Sequence, residues 1–143
     1  MTSPLHLPDG YRFEDDPSSW DREAMHAYLD TTYWSAGVDR SRRERGFDNS
    51  LGVAMFYGKE QVGYARVVTD YSRFAYLADV YVEAAHQRRG LARAMVEWLH
   101  RHPDLEGVGR WLLITRDAAG LYTGLGYGPP DDIGQFMQRR VTR

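Results

Sequence analysis

Residues 74 to 115 constrain the fold more than any other stretch. FAYLADVYV, 74 to 82, reads as a strand. LARAMVEWL carries Leu91, Met95, Trp98 and Leu99 on one face with Ala92 and Val96 beside it, which predicts an amphipathic helix ended by His102-Pro103. GRWLLIT, 109 to 115, follows Gly107-Val108 and is short and largely apolar, as a strand buried on both faces would be. Strand, helix, strand in that order is a crossover, and it predicts two parallel strands side by side in the middle of a sheet.

The flanking sequence supplies antiparallel partners. Leu51, Val53, Met55 and Tyr57 alternate with smaller residues, Gly58-Lys59-Glu60 turns the chain, and Val62, Tyr64, Arg66 and Val68 alternate again. Asp70 to Arg73 turns into the strand at 74, so 51 to 82 is a three-strand meander. YRFED, 11 to 15, is a short first strand, and IGQFMQRRV, 133 to 141, a last one. Trp20 to Tyr33 has helical spacing with Asp21 or Ser19 as cap. A loop around Gly37 then leads into a short charged helix capped by Asp39 or Ser41. Asp117 caps a short helix in DAAGLYTGLG. The order β α α β β β α β α β gives an α/β (α+β) fold with a mixed sheet flanked by helices. Without repeats or linkers, residues 1 to 143 read as one domain.

Composition excludes several classes. A net charge of -2 argues against nucleic-acid or membrane-surface binding. No cysteine is present, which removes disulfides, thiolate metal sites and cysteine nucleophiles. His100 and His102 sit at a helix end without metal-ligand spacing, so no metal is expected. No apolar run of about 20 residues occurs, as a membrane helix requires, and MTSPLHLPDG shows no signal peptide, so the chain reads as cytoplasmic.

Chemistry concentrates where the central strand becomes a helix, at Gln87-Arg88-Arg89-Gly90-Leu91-Ala92. A helix start leaves about four backbone N–H groups unpaired at its electropositive end. Gly90 leaves room for an oxygen to approach, and Arg88, Arg89 and Gln87 add charge and donors. An ordinary turn with solvated arginines has the same local features. The stretch is neither a P-loop nor GxGxxG, and GLGYGP at 124 to 129 follows a helix, the wrong context for a dinucleotide fingerprint.

Gln87-Arg88-Arg89-Gly90-Leu91-Ala92 resembles the Gln/Arg-x-x-Gly-x-Gly/Ala acyl-CoA motif of the GNAT superfamily of N-acetyltransferases. Asp79-Val80-Tyr81-Val82 resembles that family's fourth strand, and Leu121-Tyr122-x-x-Leu125-Gly126-Tyr127 its Leu-Tyr-x-x-x-Gly-Phe segment. The resemblance spans roughly residues 20 to 141. It implies acetyl-CoA as cofactor and a sheet whose central parallel strands splay apart to admit the pantetheine arm. Val80, Tyr81 and Val82 would supply main-chain groups to that arm, and Gln87, Arg88, Arg89, Gly90, Leu91, Ala92 and Arg93 would cradle the pyrophosphate. Tyr122 matches the general acid; a phenol with a reference pKa of about 10 is protonated at neutral pH. Asp79 is the first candidate general base, with Glu83 second and an ordered water the alternative. Asp79 shares a face with Leu77 and Tyr81 unless a bulge shifts the phase. Many relatives carry an Asn where this chain reads Thr115-Arg116-Asp117, so Asp117 either contacts the cofactor or only caps its helix.

By the same resemblance Tyr33 and Trp34 wall the acceptor site, although both also fit the end of a helix core. Arg40, Arg42, Arg43 and Arg45 read as a solvated helix face, with contact to a cofactor 3′-phosphate or an acidic acceptor as the sharper alternative. The implied activity is acetyl transfer to a small-molecule primary amine. Its alternatives are acetylation of a protein N-terminus or lysine, and a non-catalytic acyl-CoA-binding module. A homodimer pairing through the last strand is a further expectation by analogy.

Overall fold

The computed structural model describes residues 5–142. Five strands, β1 (Tyr11–Glu14), β2 (Leu51–Tyr57), β3 (Glu60–Thr69), β4 (Phe74–Val82) and β5 (Arg110–Leu112), form one sheet in sequence order. The first three pairings are antiparallel and β4·β5 is parallel, as the crossover requires. Four helices flank it: α1 (Arg22–Leu29), α2 (Arg40–Asp48), α3 (Leu91–His100) and α4 (Ala119–Thr123).

Each face of the sheet has its own core. On one, Leu91, Met95, Val96 and Leu99 of α3 pack with Val53, Met55, Val67 and Leu77. On the other, Met25 and Leu29 of α1 and Phe47 of α2 pack with Trp20, Ala54, Phe56, Tyr64 and Tyr81. Burying each large side chain contributes about 1.5–3 kcal/mol. Asp21 caps α1, accepting from the Ala24 N–H at 3.1 Å.

A bulge divides β4 between the two cores. Ala78 pairs with Arg66 and Tyr81 with Tyr64, so Asp79 and Val80 together face Ala65. Asp79 takes φ 53°, a left-handed conformation that aspartate tolerates better than most residues. The extra residue flips the alternation. Leu77 points into the α3 core and Tyr81 into the α1/α2 core, so simple alternation does not hold through Asp79.

Several expectations are corrected. Residues 133 to 141 form no strand: Ile133–Gln135 is a 3-10 turn, and Met137 beyond it is 97% exposed. Arg110 holds this segment through side chains, with Asp132 at 2.6 Å and the Phe136 ring 5.1 Å away, and its backbone joins no ladder. Among the described residues β5 is therefore an edge strand, and the parallel pair is not central. β5 is also shorter than 109 to 115 and not buried on both faces, with Arg110 and Ile114 exposed. Asp39 stands at the start of α2 without capping the backbone. Asp117 caps nothing; the Ala118 N–H donates to Thr115 Oγ1 at 3.0 Å.

Gly63 faces the end of β4, where an added Cβ would lie 2.9 Å from the Tyr81 carbonyl oxygen and 3.1 Å from Met95 Cε. Gly63→Ala is expected to cost about 1–3 kcal/mol through overpacking, read as a lower urea midpoint with an unchanged slope. An unchanged midpoint would mean that β3 and β4 separate freely there.

Candidate active site

β4 and β5 pair over three residues only, Phe74–Tyr76 against Arg110–Leu112. From Ala78 to Val82 that edge of β4 has no strand beside it among the described residues. A cleft of about 1530 Å³ occupies the parting. Its walls include Asp79, Val80, Tyr81 and Val82 of β4, Leu113 to Thr115 after β5, Leu121 and Tyr122 of α4, and Tyr33 and Trp34 from the α1–α2 loop. Gln87 and Ala92 reach it from the β4–α3 junction.

That junction is backbone-rich. Gly90 has φ 76° and Arg88 φ 64°, and an added Cβ at Gly90 would meet nothing within 4 Å. The first intrahelical bond of α3 runs from the Ala94 N–H to the Gly90 carbonyl, so the N–H groups of Leu91, Ala92 and Arg93 lie beyond the helical ladder. Arg88 and Arg89 are exposed. The side chains of the other motif residues are engaged. Leu91 is core, Arg93 pairs with Glu97 at 2.8 Å, and Gln87 Nε2 donates to the Val82 carbonyl at 2.9 Å. What this turn offers a ligand is therefore mainly main-chain N–H groups, with two exposed guanidinium groups beside them.

Tyr122 is 9% exposed. Burial, reinforced by the nearby Tyr33 and Asp117, pushes its phenol up to about 12. The hydroxyl stays protonated through the neutral range and can donate. Tyr127 contacts the Tyr122 ring and is also raised, by burial first.

Asp79 is held from two sides. Arg66 Nε donates to Oδ2 at 2.7 Å and Trp34 Nε1 to Oδ1 at 2.9 Å. Trp34 thus ties the α1–α2 loop across the cleft to β4. Tyr33 ties it to the other bank: the Arg116 N–H donates to its hydroxyl at 2.9 Å, and the Arg116 guanidinium lies 3.9 Å from its ring. Both rings are 42% exposed, so neither is a helix-end core residue. Buried Arg43 fixes the loop from behind, donating to Ser35 Oγ and the Ser35 carbonyl and pairing with Asp30 at 2.7 Å. Glu83 is not part of the cleft wall; partial burial raises its carboxyl, with nearby Glu60 adding to the effect and His86 opposing it.

Sequence reasoning missed Arg66 and Tyr28, which stacks on Tyr81 with centroids 4.2 Å apart, and it expected Arg43 on a solvated helix face, whereas pairing with Asp30 and Ser35 buries it. Arg66 had a visible signal, a charge inside the strand VGYARVV. Tyr28 had none, because its role depends on a residue distant in the chain.

The sequence model of the acetyltransferase (GNAT) family matches residues 11–127. The chain belongs to this family. It is similar to a Gibberella zeae protein with a provisional acetyltransferase name, at 39% identity over 85% of this chain and 81% of that protein. A GNAT-family crystal structure from Xanthomonas campestris pv. campestris superposes with a TM-score of 0.90 at 36% identity, covering 95% of this chain and 96% of that one. A Clostridium acetobutylicum structure named as a predicted acetyltransferase with acetyl-CoA shares the fold, with a TM-score of 0.67 at 14% identity over 91% and 94% of the two chains. The splayed parallel pair is thus the family's fold, and the GNAT assignment makes the chain an acyltransferase. No helix among the described residues is long and apolar enough to cross a membrane, and no group of three metal-ligating side chains occurs among them.

The buried tyrosines set an alkaline limit. In the unfolded chain a tyrosine ionises near 10, whereas folded Tyr122 keeps its proton to about 12. A raised folded value contributes stability that is complete below the unfolded pKa and is lost as pH rises through the folded one. Stability is therefore expected to fall between pH 10 and 12, and absorbance at 295 nm should show a late-titrating class of tyrosines. Complete ionisation by pH 10.5 in the folded protein would contradict this.

Proposed function

We propose that this GNAT enzyme transfers an acetyl group from acetyl-CoA directly to a primary amine of a small molecule. The observation that carries the reading is the edge of β4 from Ala78 to Val82, which has no strand partner among the described residues, on the same cleft as Tyr122 and leading into the Gly90 helix start. An extended chain can lie along that edge as an added strand would. Val80, Tyr81 and Val82 supply the main-chain groups. The backbone N–H groups from Gly90 to Arg93, with Arg88 and Arg89 beside them, suit a pyrophosphate. Asp117 lines the same cleft and contacts the cofactor from there.

Acetyl-CoA supplies an activated thioester, and the chain's residues do the rest. A β4 N–H near Val82 polarises the carbonyl. The amine nitrogen forms its bond to the acetyl carbon, the carbon–sulfur bond breaks, and Tyr122 donates its proton to the departing sulfur. Asp79 accepts the surplus amine proton. Each of its oxygens keeps a lone pair after its one hydrogen bond to Arg66 or Trp34. Tyr33 and Trp34 cover the acceptor.

Calorimetric titration with acetyl-CoA, with ATP and NAD in parallel, tests the cofactor. Micromolar binding of acetyl-CoA alone is expected, and no binding would overturn the reading. Gly90→Glu places a carboxylate where the anion would sit and should abolish that binding. Tyr122→Phe should lower kcat by about 10²-fold or more with cofactor affinity kept. An unchanged kcat would remove Tyr122 from the acid role.

A further inference from the structure

The four arginines of α2 divide into two pairs. Arg40 and Arg43 face α1 and are neutralised there, by Glu23 at 2.8 Å and Asp30 at 2.7 Å. Arg42 and Arg45, three residues apart and so on one side of the helix, line the cleft, as does the already paired and buried Arg43. Neither guanidinium makes an ion pair, hydrogen bond or ring contact with any described residue. The other charged groups on this bank have hydrogen-bond partners. Arg66 is paired with Asp79, and Asp39 accepts from the Ser41 hydroxyl. The α2 bank therefore presents two guanidinium groups without ion-pair partners, beside the carboxylates of Asp39 and Asp79 and the aromatic pair Tyr33 and Trp34.

We propose that the acceptor is an amine that also carries an anionic group, a carboxylate or a phosphate, and that Arg42 and Arg45 bind that group. This rests on the transferase reading above and names its substrate class. Guanidinium groups match both oxyanions with paired N–H donors, and a cleft focuses their field. The bipolar arrangement suits a bipolar molecule: the ammonium end is drawn toward Asp79 and the anionic end toward α2. The cofactor's own phosphates are the competing source of negative charge, but position argues against them. α2 packs in the core on one face of the sheet and α3, whose N-terminus suits the pyrophosphate, in the core on the other.

The test uses matched acceptors with the full chain: 4-aminobutyrate, 2-aminoethyl phosphate and glycine, against 4-aminobutyramide, ethanolamine, glycinamide and 1,4-diaminobutane. Thiol release from acetyl-CoA gives kcat/KM. At least one anionic amine is expected to exceed its uncharged counterpart by about tenfold or more, and carboxylate and phosphate are told apart by which does so. In the double variant Arg42→Gln/Arg45→Gln that ratio should fall to near 1. Equal or better use of the uncharged and dicationic amines, or a ratio that the double variant leaves in place, overturns the proposal. So does a double variant that weakens acetyl-CoA binding but not binding of its 3′-dephospho form, because the arginines would then serve the cofactor.

A second measurement needs no turnover. At constant ionic strength, inorganic phosphate and 4-aminobutyrate should raise the Tm of the parent more than that of the double variant, whose exposed substitutions leave the core intact. Equal shifts overturn the anion site. If acetyl-CoA fails to bind while this difference persists, the transferase reading falls and the anion site stands.

Discussion

The parting of β4 from β5 is the constraint on which the rest of the molecule depends. Two parallel strands share three residue pairs and then diverge, leaving Ala78 to Val82 without a strand partner on one side among the described residues, where the Val82 carbonyl accepts from the Gln87 side chain. Unpaired backbone groups away from water carry a free-energy cost, so such an edge persists only where a cleft keeps it accessible. Here the cleft does so, and the two banks are held by different elements. β3 and its bulged pairing fix β4, while Thr115, α4 and the Tyr33–Arg116 contact fix the far side.

The bulge at Asp79 links fold to chemistry. It shifts β4 by one residue, which assigns Leu77 to one core and Tyr81 to the other. It also places a carboxylate where Arg66 and Trp34 both reach it. The energetic balance is local. A left-handed aspartate is unfavourable, and a paired, hydrogen-bonded carboxylate offsets it. Through Trp34 the same residue anchors the α1–α2 loop across the cleft, so strand geometry and loop position are tied together at one side chain.

The tyrosines show how burial sets chemical role. Tyr122 is raised to about 12 chiefly by loss of solvent, which keeps its hydroxyl protonated through the neutral range. Tyr64 and Tyr81 are raised for the same reason, and their hydroxyls find no hydrogen-bond partner among the described residues. Tyr81 stacks on Tyr28 and lines the cleft. It therefore contributes a wall and a main-chain segment.

Much of the fold was legible along the chain. The strands from 51 to 82, the helix after Gly90 and the parallel crossover follow from local periodicity and from the rule that such crossovers join parallel strands. The helix start with its glycine and the tyrosine in Leu-Tyr-x-x-Leu-Gly were legible as a pair of motifs, because both are short and contiguous. Tertiary structure alone decided the rest. Alternation in IGQFMQRRV specifies a strand only if an edge is there to receive it, and Arg110 binds that segment by side chains instead. The bulge at Asp79 depends on where β3 places Ala65, 14 residues earlier. The division of the α2 arginines into a neutralised pair and a pair without ionic partners depends on where Glu23 and Asp30 lie in space. Local sequence determines periodicity and backbone permissiveness, whereas charge pairing and burial belong to neighbours distant in the chain.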